Sequence, residues 1–460
     1  MLRQSSLRAH AVFFAALVGT CASAEPTRLA LVGGMLLDGY GGAPINHAVI
    51  LVENNRVVAV GRESDVVIPP GTPIIDTRGE TMMPGMIELH AHLVLVGDGD
   101  IGRWFRWLEA HRADYPLERV MELSARQLLS AGITSAVDLG APLKESVSVR
   151  DRIRAGDIPG PRLSISGPWL IQKAAIFPPM CQVIVHTAAE AGRATEANIR
   201  GGADVIKAQG GLTLEEYKAI VEVAHRHNVK VHAHLYEEQA VRDALLAGID
   251  VLQHVGSAGT PPYEAKLVES IAASGRPVVP TAAHRVWLLP DTRQFPERLD
   301  DPELRRQFPA DMWAELQDSF KDFPTLDYFH NHVSEESAGD ASIGQWIRAG
   351  AVIGMGSDNG SPLNFHRDAL WREAKVFVDH GMTAARVITA LTLVNARILG
   401  KERELGTIEP GKLADITVIK GNPLFDIVAL SNVDVVVKDG VAYRDAARID
   451  LGGRPLATAR

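Results

Sequence analysis

The sequence is short of cysteine, of positive charge and of long apolar runs. Two cysteines in 460 residues cannot build a disulfide framework or a four-cysteine zinc site. With 47 Lys and Arg against 56 Asp and Glu, the net charge is −9. That balance argues against a nucleic-acid partner, because phosphate neutralisation supplies most of such affinity. No stretch reaches the roughly 20 apolar residues of a membrane-spanning helix. His-Glu-x-x-His and Gly-x-Ser-x-Gly are both absent. Gly406-Thr-Ile-Glu-Pro-Gly-Lys-Leu fills most of a phosphate-binding loop. Leu413, however, stands where a magnesium-binding hydroxyl belongs, so the segment reads as a turn into a strand. What is present is an ordinary globular composition, 46% apolar and 22% charged, and no low-complexity tract.

The first residues read as a targeting segment. Arg3 and Arg8 precede a short apolar run over 11–18, and Ala22-Ser23-Ala24 offers a cleavage site. A secretory signal peptide over 1–24 is expected, with the mature chain periplasmic or secreted and free of a membrane anchor. Thr20 before Cys21 departs from a lipoprotein pattern. Cleavage removes Cys21 and leaves Cys181 alone, a residue for packing.

Beyond that segment, short strands and turns fill 28–81 and return near the C-terminus, in Ala414–Ile419 and Val433–Val437. Residues 25–82 and 404–460 are therefore expected to join as a small β-sandwich domain. Between them, β runs near 86–92, 133–138, 163–167, 203–207, 230–234, 251–254, 278–281 and 352–356 alternate with helical patterns such as 117–131, 214–227 and 237–247. Eight such units are the alternation of an α/β fold, a (β/α)8 TIM-type barrel over 83–403. The long gap after the seventh run, 285–342, reads as a helical lid insertion. Its arginines, Arg285, Arg293, Arg298, Arg305 and Arg306, read mostly as a solvated face, with a substrate carboxylate as the sharper alternative.

The chemistry-bearing residues sit at strand ends. In His90-Ala91-His92 the two imidazoles share one face of a strand and can converge on one ion. Lys207 closes an apolar strand, where a charged amine is costly to bury. It either snorkels to solvent or works with a lowered pKa. His232-Ala233-His234 ends the next strand, His254 the one after, and Asp358 the last. Ligand-type residues at the ends of five separate strands are hard to explain as packing. In a barrel those ends form one face, where active sites are built. The donor set suits zinc. Carbon dioxide added to Lys207 would make a bridging carbamate holding two ions, and such a site yields hydroxide near neutral pH. Asp358 would then move the proton.

These motifs resemble the amidohydrolase superfamily, in its imidazolonepropionase-like and Xaa-Pro dipeptidase-like branch. The resemblance rests on Met83-Pro-Gly-Met-Ile-Glu-Leu-His-Ala-His, Gly248-Ile-Asp-Val-Leu-Gln-His, Gly356-Ser-Asp and the tail from Gly406 to Ile416. It implies two zinc ions per chain, with His90, His92, a carboxylated Lys207, His254 and Asp358 as metal residues and Asp358 as the catalytic acid. On the fifth strand it points to His234 as ligand, with Tyr236 facing substrate and His232 an interior histidine one layer deeper. At the third strand the chain departs from many relatives. There Trp169 lines the pocket or simply packs. Trp104 and Trp107, at helical spacing, read as core.

The resemblance also implies cleavage of an amide C–N bond in a small substrate such as an Xaa-Pro dipeptide or N-acyl amino acid, by a metal-bridging hydroxide. Hydrolysis of a cyclic amide or lactone, or deamination, is the alternative on the same scaffold. A homo-oligomer is a base-rate expectation.

Overall fold

In the computed structural model, residues 26–256, 262–284, 297–330 and 333–451 are described. The expected signal peptide lies outside them, as do Arg285 and Arg293. None of the described helices is long and apolar enough to cross a membrane.

Nine strands come from the two ends of the chain: β1 (Arg28–Leu36), β2 (Ile45–Glu53), β3 (Arg56–Arg62), β4 (Ile74–Asp76) and β5 (Glu80–Pro84), then β15 (Ile416–Lys420), β16 (Val433–Lys438), β17 (Val441–Arg444) and β18 (Ala447–Arg448). A β-sandwich was the expectation for these segments. Hydrogen bonds join all nine strands into one sheet, because β5 pairs with β1 on one side and with β15 on the other. Strand alternation gives this sheet two apolar faces. Val435 and Val437 join Leu31, Ile50, Met82 and Val418 in a core of their own. Val436, between them, packs against Leu129 of the helix Leu117–Ser130.

The intervening chain is α/β. Its parallel strands are β6 (Met86–Ala91), β7 (Ile133–Asp138), β8 (Arg162–Ile165), β9 (Trp169–Ile171), β10 (Gln182–Ile184), β11 (Val205–Ala208), β12 (Lys230–His234), β13 (Val251–Gln253) and β14 (Val278–Val279). They form one sheet in the order β6-β7-β8 and another in the order β10-β9-β11-β12-β13-β14. The amide of Asp204, just before β11, donates to Ile165 O of β8 at 2.8 Å. On the other flank Val278 exchanges bonds of 2.9 Å with Val352 and Gly354, and Leu89 and His92 bond Met355 and Asn359 at 3.2 and 3.0 Å. This content and order are consistent with a TIM-type fold. The apolar faces of the flanking helices merge with the strands into one large core.

Two details differ from the sequence reading. The short strands β9 and β10 were not foreseen. The eighth run, expected over 352–356, forms only isolated bridges at Ile353 and Asn359. Side chains there take over backbone bonds. Asn395 Oδ1 accepts from Met355 N at 2.9 Å, and Glu88 Oε1 accepts from Ser357 N at 2.9 Å. Gly356 is needed in this stretch, since a Cβ there would lie 3.0 Å from His90 N.

The gap before the eighth run is helical where described, including Ala310–Ser319 and Val333–Ala349. Met312, Trp313 and Leu316 are buried in the main core. Arg298 donates to Leu363 O at 2.6 Å and pairs with Asp368, and Arg306 pairs with Glu303. Arg306 is exposed, as a solvated face requires, whereas Arg298 is largely buried against Leu363 and Asp368. Cys181 is buried and free, and burial pushes its thiol up to about 12.

Candidate metal centre

His90 lies near the end of β6 and His92 just past it, Lys207 lies in β11, His232 and His234 in β12, and His254 follows β13. The structure brings these residues and Asp358 together. One ligand atom each from His90, His254 and Asp358 lies within 4.8 Å of the others. His92 Nε2 is 3.1 Å and His90 Nε2 3.6 Å from Asp358 Oδ1. Lys207 Nζ is 3.4 Å from His90 Nε2. The His234 ring stands 4.3 Å from that of His254, and the Tyr236 ring 4.4 Å from His234. His232 lies deeper: its backbone pairs in register with Lys207, and its ring is fully buried.

Strand geometry alone does not aim all of these inward. Neighbouring residues of a strand face opposite sides. His254, Thr281 and Asp358 have φ of 64°, 52° and 57°, a left-handed conformation that costs a non-glycine residue on the order of 1–3 kcal/mol. Surrounding bonds hold it. Thr281 Oγ1 lies 2.9 Å from His254 Nδ1, and Asn364 Nδ2 donates to Asp358 O at 2.9 Å. The Glu88 carboxylate accepts from His90 N at 2.8 Å, from Ser357 Oγ at 2.6 Å and from Asn359 Nδ2 at 3.0 Å. It thus joins the first strand to the last.

Burial sets the charges. It holds the His90 and His254 imidazoles well below their ordinary value, so both are neutral and offer lone pairs. It draws the Lys207 ammonium down to about 7, opposed by the Asp358 carboxylate. Burial acts against ionisation of Asp358, but the His92 hydrogen bond keeps its carboxyl well below the usual range.

The donor set fits a divalent cation. A buried Asp358 carboxylate oxygen and His90 Nε2 lie 3.6 Å apart; with the imidazole proton on Nδ1 both present electron pairs, a repulsion that a cation between them would remove. Among the described residues, His92 Nδ1 and His232 Nε2 are buried with no hydrogen-bond partner.

Trp169 is buried, its ring 5.8 Å from His92 and its indole N–H donating to Leu139 O at 2.5 Å. It backs His92 as a wall. Trp104 is buried core, as the helical spacing suggests. The sequence reading overlooked Glu88, Gln253, Thr281, Asn359 and Asn364. Glu88 and Gln253 lie inside the quoted motifs, as polar residues in otherwise apolar strands. That was the available signal.

Comparisons with known proteins give the family and the fold. The amidohydrolase family pattern matches residues 81–442. The chain is 25% identical to a 5-methylthioadenosine/S-adenosylhomocysteine deaminase of Symbiobacterium thermophilum, over 91% of this chain and 94% of the deaminase. It is 26% identical to the ochratoxinase of Aspergillus niger, over 88% and 84%. The ochratoxinase crystal structure superposes with a TM-score of 0.72, at 23% identity and 95% and 99% coverage. A crystal structure of a Xaa-Pro dipeptidase with methionine bound in its active site has a TM-score of 0.71, at 22% identity and 91% and 100% coverage. With 362 consecutive residues inside the family pattern (81–442), the chain belongs to the amidohydrolase family and is an enzyme acting on carbon–nitrogen bonds.

Proposed function

We propose that this enzyme is a binuclear zinc amidohydrolase that cleaves the amide bond of a small substrate, an Xaa-Pro-type dipeptide or an N-acyl amino acid. The observation that carries the reading is the convergence of His90, His254 and Asp358 within 4.8 Å, with His92, His234 and Lys207 around them. On this reading the parallel strands close as a (β/α)8 barrel, and the site occupies its C-terminal rim.

His90, His92 and Asp358 would hold one ion, and His234 and His254 the other. Lys207 would bridge them after its neutral amine adds to carbon dioxide, forming an N–C bond and releasing a proton. Two bound ions would supply Lewis acidity toward water and the substrate carbonyl. Asp358 takes the proton of the attacking water and delivers it to the leaving nitrogen, which keeps the proton count balanced. Tyr236, beside His234 and His254, lines the substrate side. Trp169 shields the His92 side from water.

A panel of dipeptides, N-acyl amino acids, lactones and hydantoins, assayed with zinc-reconstituted protein, tests the reading. Turnover of the first two classes, abolished by chelation, is expected. Activity on cyclic amides, lactones or amino-purines alone would contradict it. The deaminase relative favours that second reading, and a single ion per chain would support it.

A further inference from the structure

We infer that Gln253 is a positioning residue whose single side-chain amide fixes the tautomers of two imidazoles, making His90 a metal ligand and barring His232 from the same role. The inference rests on the metal reading above for its consequence, but not for its geometry.

Gln253 is fully buried and reaches three partners. Its Nε2 donates to Leu89 O at 3.3 Å. A carbonyl oxygen in that place would face another carbonyl oxygen, so this contact determines which end of the amide is which. Gln253 Oε1 is then the atom 2.8 Å from His90 Nδ1. An amide oxygen only accepts, so His90 carries its proton on Nδ1. The lone pair of the neutral ring falls on Nε2, the atom that faces Asp358 and Lys207.

The second amide hydrogen serves the other imidazole. Gln253 Nε2 lies 2.9 Å from His232 Nδ1. An amide nitrogen only donates, so His232 Nδ1 is the acceptor and its proton sits on Nε2. That N–H is buried without a partner among the described residues, on the strand position paired with Lys207. His232 therefore has no lone pair left for an ion: one is occupied by Gln253 and the other nitrogen is protonated. It can donate a hydrogen bond, as an oxygen acceptor on Lys207 would require. Two histidines of one His-x-His pair thus differ in role because only the deeper one meets the amide.

The backbone makes the arrangement possible. Gln253 and His254 are adjacent, yet both lie against His90; the His254 ring is 4.5 Å from it. Regular strand alternation would send one of the two away. The φ of 64° at His254 breaks that alternation.

The test uses the full chain with 15N-labelled histidine. Long-range 1H–15N correlation reads the tautomers directly, with or without metal. The expected result is Nδ1–H for His90 and Nε2–H for His232. Gln253→Glu offers only acceptors, so it should keep His90 as it is and move the His232 proton to Nδ1. Gln253→Met, similar in length, should lower zinc affinity about 10–100-fold in chelator competition, while Gln253→Glu retains it. His232 protonated on Nδ1 in the unaltered chain would overturn the inference, as would wild-type zinc affinity in folded Gln253→Met. Failure of the unaltered chain to bind any zinc would sink the metal reading alone, because the tautomers remain readable without metal.

Discussion

The strand-end rim and the nine-stranded terminal sheet use the same backbone ladders for opposite purposes. In the sheet, what is buried is apolar: Leu31, Ile50, Met82, Val418, Val435 and Val437. At the rim, buried positions are filled by Glu88, His90, Lys207, Gln253 and Asp358. There the alternation is broken by left-handed residues at His254, Thr281 and Asp358. Residues of that conformation also occur in the sheet, mostly in its connections, at Asn54, Asp439, Asp445 and Ala446, and once within a strand, at His47 of β2. The sheet gains stability from burial. The rim gives stability up to hold lone pairs and a carboxylate in a dry place, a cost expected where chemistry is done.

The largest effect should come from the rim. Asp358→Asn keeps the shape but removes the proton acceptor. Turnover should fall by about 10²–10⁴-fold, the usual worth of a positioned acid or base, while thermal stability and bound zinc change little. Steady-state kinetics beside metal analysis would check this. A loss of metal equal to the loss of rate would instead make Asp358 mainly a ligand.

The next effect belongs to the sheet and should spare the site. Ile50→Ala empties a fully buried position and should cost about 2–5 kcal/mol of stability in denaturant unfolding. Zinc content and kcat of the folded fraction should not move. If they did, the two regions would be energetically coupled and the contrast between them would weaken.

The last expected effect is a pH dependence of stability. Asp98, on the loop after β6, is buried; its Oδ1 accepts from Asp100 N at 2.9 Å, while its Oδ2 has no partner among the described residues. Burial pushes its carboxyl up to about 8. The folded chain therefore holds a proton that the unfolded chain releases near pH 4. Stability should fall as pH rises between those values, by at most about 1.4 kcal/mol per pH unit. Asp98→Asn keeps the acceptor for Asp100 N and should flatten that slope, gaining most above pH 8 and little near pH 4. Parallel melts of both proteins across that range would read the difference.

The contrast also explains what the sequence made legible. Where alternation or amphipathic spacing decides the structure, as in β6, β7, β12 and the helix Leu117–Ser130, the reading and the structure agree within a residue or two. The approach of His90, His92, Lys207, His254 and Asp358 followed from residue type at strand ends. What the sequence hid is long-range and polar. Asn395 bonds Ile87 O at 2.6 Å across 308 residues, and Gln253 meets His90 across 163. No local pattern marks an amide that finds its partner only in three dimensions. The irregular eighth run was misread as a strand for the same reason, since distant side chains satisfy its backbone. β9 and β10, at three residues each, are too short to show a period.

The central claim is that the rim holds a pair of divalent ions. The most direct measurement is the metal content of the purified full chain by inductively coupled plasma mass spectrometry, for the unaltered protein and for His254→Asn. About two tightly held zinc ions per chain, reduced in the variant while its fold persists, is the outcome this account requires. A native, active chain that carries no divalent ion and keeps its rate in chelator would contradict it.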